Sequence, residues 1–319
     1  MIDKYKTLLQ ECELDPFEFF KSRPNFMREV RIALHPDIAP DKDEATRIIA
    51  AFSSFEEVKP DYISKFRVVR NLAKGDLSNI LLVNGNISDS LKDHYVMMKK
   101  PLVKAGNHAK TEYNTITNIR KAFSDTDICL RMIPRPIKMV EDCTLYDCNN
   151  SRNPFKDYIS GVDVISKHGD NLDSRHIVWM AKRALSLLGR IHTFGYVHGA
   201  ITPAHLVFNK VDHGLLCLGW LHSGKAGDTI KFVPKEYMHY YPDSTKKSKK
   251  LTKDLDIYML ARSMLDIGGK KCHPRIVKFF KSCVDYPPSM RPDNAYVLHD
   301  ELAETAKSVF GTPKFINLV

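Results

Sequence analysis

Apolar residues recur at helical spacing through the first sixty residues of the chain. The pattern predicts a short first helix over Tyr5–Gln10 and a second helix that begins after Ser22 and ends at His35-Pro36. Ser22 followed by Pro24 is typical of a helix N-cap with proline in the first turn, and a residue before proline disfavours the helical backbone. A third helix is predicted from about Asp43. We expect the last two helices to form an antiparallel hairpin that buries their apolar stripes. These stripes consist of Phe26, Val30, Ala33, Leu34, Ile48, Phe52, Phe55 and Val58.

From residue 65 onward the pattern changes from strands to helices. Two strands around a turn are predicted within Phe66–Val83, another strand over Tyr95–Met98, and a helix over Ala109–Phe123. A longer helix carries an apolar stripe of Ile177, Ala181, Ala184, Leu188 and Ile191. Further strand-like segments are 136–146 and 155–164. After the long helix come the segments 196–201, 206–208 and 215–218, and the chain from Asp254 is mostly helical. A β-rich part followed by a helical part indicates an α+β fold with two lobes.

The positive charge of the chain is unevenly distributed. The net charge is +10, but residues 1–60 hold 9 Lys and Arg against 12 Asp and Glu, so the remainder is strongly basic. The densest run, Lys246–Lys250, is predicted to lie in a solvated loop, and phosphate contact or a targeting signal is the alternative. The basic balance leaves nucleic acid or an anionic surface open as a partner, although no reader motif supports sequence-specific recognition.

The remaining composition predicts a cytoplasmic protein. No apolar run approaches the length of a membrane span, and the N-terminus has no apolar core of a signal peptide, so we expect no membrane association. The seven cysteines lack close pairs, which favours free thiols in a reducing compartment over disulfides or a metal site.

The N-terminal pattern resembles the J domain of DnaJ-type co-chaperones, over residues 1–60. The resemblance rests on a helix that ends in His35, Pro36 and Asp37, then a polar loop, then a second helix. It implies that the His-Pro-Asp loop and a basic face on the preceding helix, here Arg28 and Arg31, bind a DnaK-type chaperone and stimulate its ATP hydrolysis. The alternative is a helical extension that packs on the rest of the protein.

Residues 65–310 resemble the eukaryotic-type protein kinases, with a β-rich N-lobe and a helical C-lobe. Motifs in the order of that family are VMMK ending at Lys99, the helix residue Glu112, YVHGAITPAHLVF, CLGWL, Tyr241-Pro242-Asp243, DIYMLA beginning at Asp256, and Arg291-Pro292. The resemblance implies that His198 packs within the loop, that Asp256 holds the loop backbone, and that Arg291 pairs with Asp243.

The same resemblance implies that the chain lacks several groups of an active kinase. Ala200 stands where the family has its catalytic aspartate, His205 where it has a metal-binding asparagine, and Gly219 where it has a metal-binding aspartate. Phosphoryl transfer needs a base and bound metal ions, so we expect no kinase activity, no metal site and no cofactor. Gly199 replaces the arginine that reads phosphates on the activation loop.

Nucleotide contacts remain an open possibility. Gly75, Lys99 and Glu112 are the candidate ATP-binding residues, with binding expected without magnesium, while a purely structural Lys99–Glu112 pair is the alternative. Met97 is expected to fill part of the adenine space.

The sequence therefore predicts a pseudokinase scaffold or regulator. Its J-like region would recruit a DnaK-type chaperone to a client protein bound by the kinase-like region. The alternatives are an atypical phosphotransferase that uses Lys99 with His205 or Asp212, and a protein that binds nucleic acid or an anionic surface.

Overall fold

The computed structural model describes residues 1–35, 37–56, 59–74, 77–89, 92–102, 107–147, 156–230, 233 and 236–318. Two of the candidate site residues, Pro36 and Gly75, lie outside this part of the chain, as does Val58 of the predicted apolar stripe. The fold is a mixture of helices and strands, as the pattern predicts. It divides into two compact units, Met1–Lys104 with Ile137–Lys156, and Ala105–Pro136 with Asp157–Val319.

The first unit begins with four helices around an apolar core. They are α1 (Ile2–Leu14), α2 (Pro16–Lys21), α3 (Phe26–Ala33) and α4 (Lys42–Glu56). Three aromatic rings lie at the centre of this core. Phe26 packs edge-on against Phe19 and Phe52, with ring centroids 4.8 and 4.9 Å away. Such edge-to-face pairs add to the stabilisation from burial alone.

Two of the helix predictions in this region are wrong in detail. The first helix is twice as long as the Tyr5–Gln10 segment. Ser22 ends α2 and does not cap α3, because its hydroxyl donates to the carbonyl of Phe19 at 3.0 Å. The residue before α3 is Asn25, whose side chain makes no capping hydrogen bond. The predicted hairpin is thus part of a four-helix cluster, in which α4 also packs against α1 and α2.

A buried ion pair joins the helices to the sheet of the same unit. Both guanidinium nitrogens at the tip of Arg67 donate to the Asp15 carboxylate at 2.7 Å, and the Tyr95 hydroxyl donates to it at 2.8 Å. Asp15 and Arg67 are each less than a tenth exposed. The division predicted between residues 60 and 65 therefore falls inside a compact unit and not at its edge.

The described residues of the first unit also form a six-stranded sheet in the order β1-β2-β3-β4-β6-β5. The strands are β1 (Asp61–Ile63), β2 (Phe66–Lys74), β3 (Ser78–Gly85), β4 (His94–Pro101), β5 (Pro136–Val140) and β6 (Cys143–Asp147). The pairs from β1 to β4, and β4 with β6, are antiparallel. Alternate residues of the central strands are buried on one face, including Val83, Val96, Met98 and Leu145.

The second unit is mainly helical. Its helices are α5 (His108–Lys121), α6 (Gly161–His168), α7 (Ser174–Thr193), α8 (Asp243–Ser248), α9 (Lys253–Gly268), α10 (Pro274–Val284) and α11 (Ala295–Phe310). Its short strands are β7 (Tyr158–Ser160), β8 (Tyr196–Val197), β9 (Leu206–Asn209), β10 (Leu215–Cys217) and β11 (Gly224–Lys225). Helix α7 is the centre of this unit and packs against both α9 and α11. Its predicted apolar stripe is buried throughout.

Two predictions in the second unit are wrong. The strand-like segment 155–164 is a strand only to Ser160, since the Ser160 side chain accepts a hydrogen bond from the Asp163 amide and begins α6. The lysine run Lys246–Lys250 is not wholly a loop, because its first residues belong to α8. Helix α8 ends where Lys249 adopts the left-handed backbone conformation.

None of the helices in the described ranges combines the length and the apolar character that crossing a lipid bilayer requires. The six cysteines within those ranges are buried free thiols.

Candidate functional site

The segment from His198 to His205 connects β8 to β9 in the second unit, and a buried carboxylate holds its start. The two oxygens of Asp256 accept hydrogen bonds from the backbone amides of His198 and Gly199 at 2.8 and 2.7 Å. His192 Nε2 donates to the same carboxylate at 2.9 Å. Asp256 is completely buried in the first turn of α9, where the helix dipole also favours a negative charge. It is therefore positioned to hold the loop backbone in place.

The imidazole of His198 has both nitrogens engaged inside the protein. Its Nδ1 accepts a hydrogen bond from the amide of Ala200 at 3.2 Å, so its Nε2 carries the proton and donates to the Leu218 carbonyl at 3.0 Å. Burial lowers the pKa of His198 to about 4, and Asp256 only partly opposes this shift. A neutral ring with no exposed nitrogen cannot take a proton from a substrate, and its role is to pack and to hold the loop.

Gly199 occupies a position that only glycine fits. Its φ is +75°, and a Cβ atom would lie 2.6 Å from Cδ2 of Leu251. The Gly199 carbonyl accepts a hydrogen bond from the Tyr241 hydroxyl at 2.8 Å. An arginine at this position would therefore require the loop and Leu251 to rearrange.

At positions 205 and 219, the ring of His205 occupies the space that a side chain on Gly219 would need. A Cβ atom on Gly219 would lie within 2.5 Å of the His205 ring. The ring is held there because its Nδ1 donates to the carbonyl of Ala200 at 2.7 Å. Gly219 also has a φ of +83°, which disfavours any side chain. Magnesium prefers oxygen ligands, and these two positions offer none from a side chain. They hold the imidazole of His205, packed against the backbone of Gly219.

Trp220 completes the buried wall beside His198. It is fully buried, its Nε1 donates to the carbonyl of Cys217 at 2.7 Å, and its ring packs edge-on to His198 at 4.5 Å. Burial also raises the pKa of the Cys217 thiol, so the sulfur stays protonated. Neither residue is available for nucleophilic or acid–base chemistry.

Some residues that hold this segment were not singled out from the sequence. The Ser223 hydroxyl donates to the carbonyl of His198, and the Ser263 hydroxyl donates to the carbonyl of Ile201. These contacts join parts of the chain that are far apart in sequence. Only the isolated glycine at 199 signals a closely packed backbone in advance.

Arg291 does not pair with Asp243, contrary to the prediction. Its guanidinium donates to the Ser244 hydroxyl at 3.2 Å and lies 3.8 Å from the Asp254 carboxylate. It also packs over the ring of Tyr258. Asp243 instead pairs with Lys246 one turn along α8, at 2.9 Å, because the start of that short helix points its side chain into solvent.

The candidate nucleotide-binding residues belong to different units. Lys99 lies on β4 of the first unit, opposite Ile80 and Thr144, and Glu112 is buried on α5 of the second. Met97 is buried on the same strand as Lys99. Among the described residues, no three His, Cys, Asp or Glu side chains are grouped so that they could hold a metal ion.

The candidate chaperone-binding residues lie on the first unit and are exposed. Arg28 and Arg31 are on the outer side of α3, and His35 and Asp37 follow the helix directly. His35 Nδ1 accepts a hydrogen bond from the Asp37 amide at 3.3 Å, and the same nitrogen lies 3.4 Å from the Asp37 carboxylate. The Asp37 side chain is 81% exposed. The loop therefore presents a carboxylate and an imidazole to solvent.

Two exposed isoleucines beside this loop were not anticipated. Ile32 and Ile38 are 62% and 60% exposed, one in the last turn of α3 and the other just after Asp37. The opposite side of α3 is buried, through Phe26, Met27 and Val30. Since helical residues three and four apart share a face, Arg28, Arg31 and Ile32 form one continuous exposed surface with the loop. We call these three residues with His35, Asp37 and Ile38 the α3 surface.

Comparison with protein-family models gives no match for this chain, and comparison with curated proteins gives none either. The resemblances to J domains and protein kinases therefore rest on the sequence motifs.

Proposed function

We propose that this protein is a catalytically inactive, kinase-like scaffold that recruits a DnaK-type chaperone through the α3 surface. The observation that carries the proposal is the contrast between two sites in the chain. His35 and Asp37 are exposed and contact each other, whereas at the positions of the proposed lost kinase groups the His205 ring is hydrogen-bonded to the Ala200 carbonyl.

The groups present at those positions support the proposal that the protein does not transfer phosphoryl groups. Ala200 has no acidic or basic group in its side chain. Nδ1 of His205 is hydrogen-bonded to the Ala200 carbonyl and cannot also coordinate a metal ion. Gly219 has no side chain, and His198 is held neutral. Loss of the base alone costs about 10²–10⁴ in rate, and loss of the metal ligands removes most of the charge stabilisation as well.

Chaperone recruitment is supported by the chemistry of the α3 surface. Arg28 and Arg31 provide two positive charges within residues 1–60, a segment that is acidic overall. The loop adds the carboxylate of Asp37. Ile32 and Ile38 add apolar area that has no use inside the protein. An exposed patch of this mixed kind is typical of a protein-binding surface.

The buried Asp15–Arg67 pair gives the scaffold part of the proposal a physical basis. It fixes the helices to the sheet within one unit, so a partner bound to the α3 surface is held in a constant orientation to that sheet. Such fixed presentation is what a scaffold needs, and a flexible tether would not supply it.

Steady-state ATP hydrolysis by a DnaK-type chaperone tests the proposal. The intact protein should stimulate hydrolysis, and His35→Gln should remove the stimulation. His108→Gln, a change to an exposed histidine on the other unit, is the matched control and should leave it intact. Equal stimulation by the wild type and His35→Gln, or none by the wild type, would overturn the chaperone assignment.

A further inference from the structure

Helix α10 of the second unit carries a continuous basic face. Arg275, Lys278 and Lys281 are all exposed, and their spacing of three residues places them on one side of the helix. The buried residues Ile276, Phe280 and Cys283 lie on the opposite side. The helix is thus anchored in the core by one face and presents only positive charge on the other.

No ion pair holds this charge within the part of the chain that the structure describes. The sequence has five Lys and Arg and no Asp or Glu from Ile267 to Val284. None of the three basic side chains forms an ion pair with any residue in the described ranges, and the side chain of Arg275 contacts only the neutral Ser308 hydroxyl, at 3.3 Å. By contrast, the exposed Lys246 on α8 is paired with Asp243 at 2.9 Å.

We propose that the basic face of α10 binds the phosphate backbone of nucleic acid without reading its sequence. Lysine and arginine that neutralise phosphates release condensed counterions, and this term supplies essentially all of non-specific affinity. The long flexible side chains of Arg275, Lys278 and Lys281 suit a regularly charged polyanion better than a compact anion that needs a closed pocket. The face contains no aromatic side chain for base stacking and no amide side chain to pair with adenine, so we expect its arginine and lysines to contact phosphates and not to select a sequence.

A lipid surface is the less favoured partner for this face. Helices that lie in a membrane interface insert an apolar side into the acyl region. In α10 that side is already buried in the protein core, and the helix has no exposed large apolar residue. Electrostatic attraction alone would remain, and it is shared by every polyanion.

The test is fluorescence anisotropy of the intact protein with labelled DNA duplexes of two unrelated sequences, over about 50 to 200 mM salt. The variant Arg275→Gln with Lys278→Gln and Lys281→Gln removes three charges from α10. The matched control, Lys247→Gln with Lys249→Gln and Lys250→Gln, removes three charges from the other basic segment, so both variants have the same net charge. All six side chains are exposed, and neither variant should unfold the protein.

We expect the wild type to bind both duplexes alike, with affinity that falls steeply as salt rises. The α10 variant should bind at least tenfold more weakly, and the slope of log affinity against log salt should flatten by about 2.7 if all three contacts are lost. The control should remain within about twofold of the wild type.

Three results would overturn the proposal. The first is no measurable binding by the wild type at low salt, and the second is equal weakening by both variants, which would indicate net charge alone. The third is binding to phosphatidylserine vesicles that depends on α10 while neither duplex binds. Because no chaperone is present in the assay, the outcome is independent of the proposed recruitment through the α3 surface.

Discussion

The loop that contains His35 and the segment that begins at His198 are both short histidine motifs, and the protein uses them in opposite ways. The His35 side chain is 59% exposed, and its hydrogen bond and ion pair within the described ranges are to Asp37, two residues away. His198 is fully buried and has both ring nitrogens, its amide and its carbonyl hydrogen-bonded. The His35 ring is accessible to a partner, whereas both ring nitrogens of His198 are used in hydrogen bonds that hold the fold.

The comparison suggests a criterion for deciding whether a histidine motif acts on another molecule or supports the fold. A group that acts on another molecule must keep an unused hydrogen-bonding or charged atom, because satisfied buried groups have nothing left to offer. Asp256, which lies beneath the second motif, illustrates a carboxylate retained for structure. Asp37 is the corresponding exposed carboxylate, and three experiments test whether the contrast holds.

The largest effect is expected from Asp256→Ala. The change leaves the buried amides of His198 and Gly199 and the ring of His192 without their acceptor, and each orphaned group costs about 1–3 kcal/mol. We expect the free energy of unfolding of the second unit to fall by about 3–5 kcal/mol, measured by urea denaturation.

Asp254→Ala is the control for that experiment. It removes an acid from the same first turn of α9 but from a half-buried site, where the nearest partner atom belongs to Arg291 at 3.8 Å. A smaller loss of about 1–2 kcal/mol is expected there, because Arg291 keeps its hydrogen bonds to Tyr286 and Ser244. Equal losses for the two variants would mean that Asp256 contributes through the helix dipole alone and does not hold the loop.

An intermediate effect is expected where His205 covers Gly219. Gly219→Ala places a methyl group against the ring and also meets the penalty of a positive φ, so we expect a loss of about 2–4 kcal/mol in the free energy of unfolding. Gly227→Ala is the matched control, since Gly227 has a φ of +93° and no atom within 4 Å of an added Cβ. It should lose only about 1–2 kcal/mol.

A double-mutant cycle with His205→Ala separates the ring contact from the backbone strain. If the two residues exclude each other, His205→Ala should recover about 1 kcal/mol or more of the loss from Gly219→Ala. Additive losses would show that the ring moves aside freely. In that case a carboxylate could be restored at 219 alone, and the contrast between the two motifs would weaken.

The same positions show how far sequence reasoning reaches. The motif predicts that Ala200, His205 and Gly219 stand where protein kinases have a base and metal ligands, because the chemistry of those groups is known. That His205 packs on Gly219 was not foreseeable, since it depends on the left-handed backbone at 219 and on a hydrogen bond to Ala200. The absence of a functional group can be read from the residue type at one position. Which side chain fills the space beside that position depends on the tertiary structure.

The fold shows the same limit. Helix α7 and strands β2 to β4 follow the apolar pattern closely, because long regular stripes leave a single way to bury them. Errors arise at short or ambiguous segments. Ser22 ends one helix and does not begin the next, and Ser160 begins a helix within a run of β-branched residues. Arg291 lies 3.8 Å from the Asp254 carboxylate and does not pair with Asp243. The tertiary packing, and not the order of motifs along the chain, determines which charged groups meet.

The smallest effect on stability is expected at the exposed motif that contains His35 and Asp37. This experiment distinguishes most directly between a motif that binds a partner and one that supports the fold. His35→Gln and Asp37→Asn should each change the free energy of unfolding of the first unit by less than about 0.5 kcal/mol, since neither side chain contacts the core. Urea denaturation of both variants beside the wild type measures this. A loss above about 1 kcal/mol in either variant would mean that the loop serves the fold, as the His198 segment does. Unchanged stability together with lost chaperone stimulation would instead place the contribution of His35 in binding, because a residue that the fold does not need can matter only through what it contacts outside the protein.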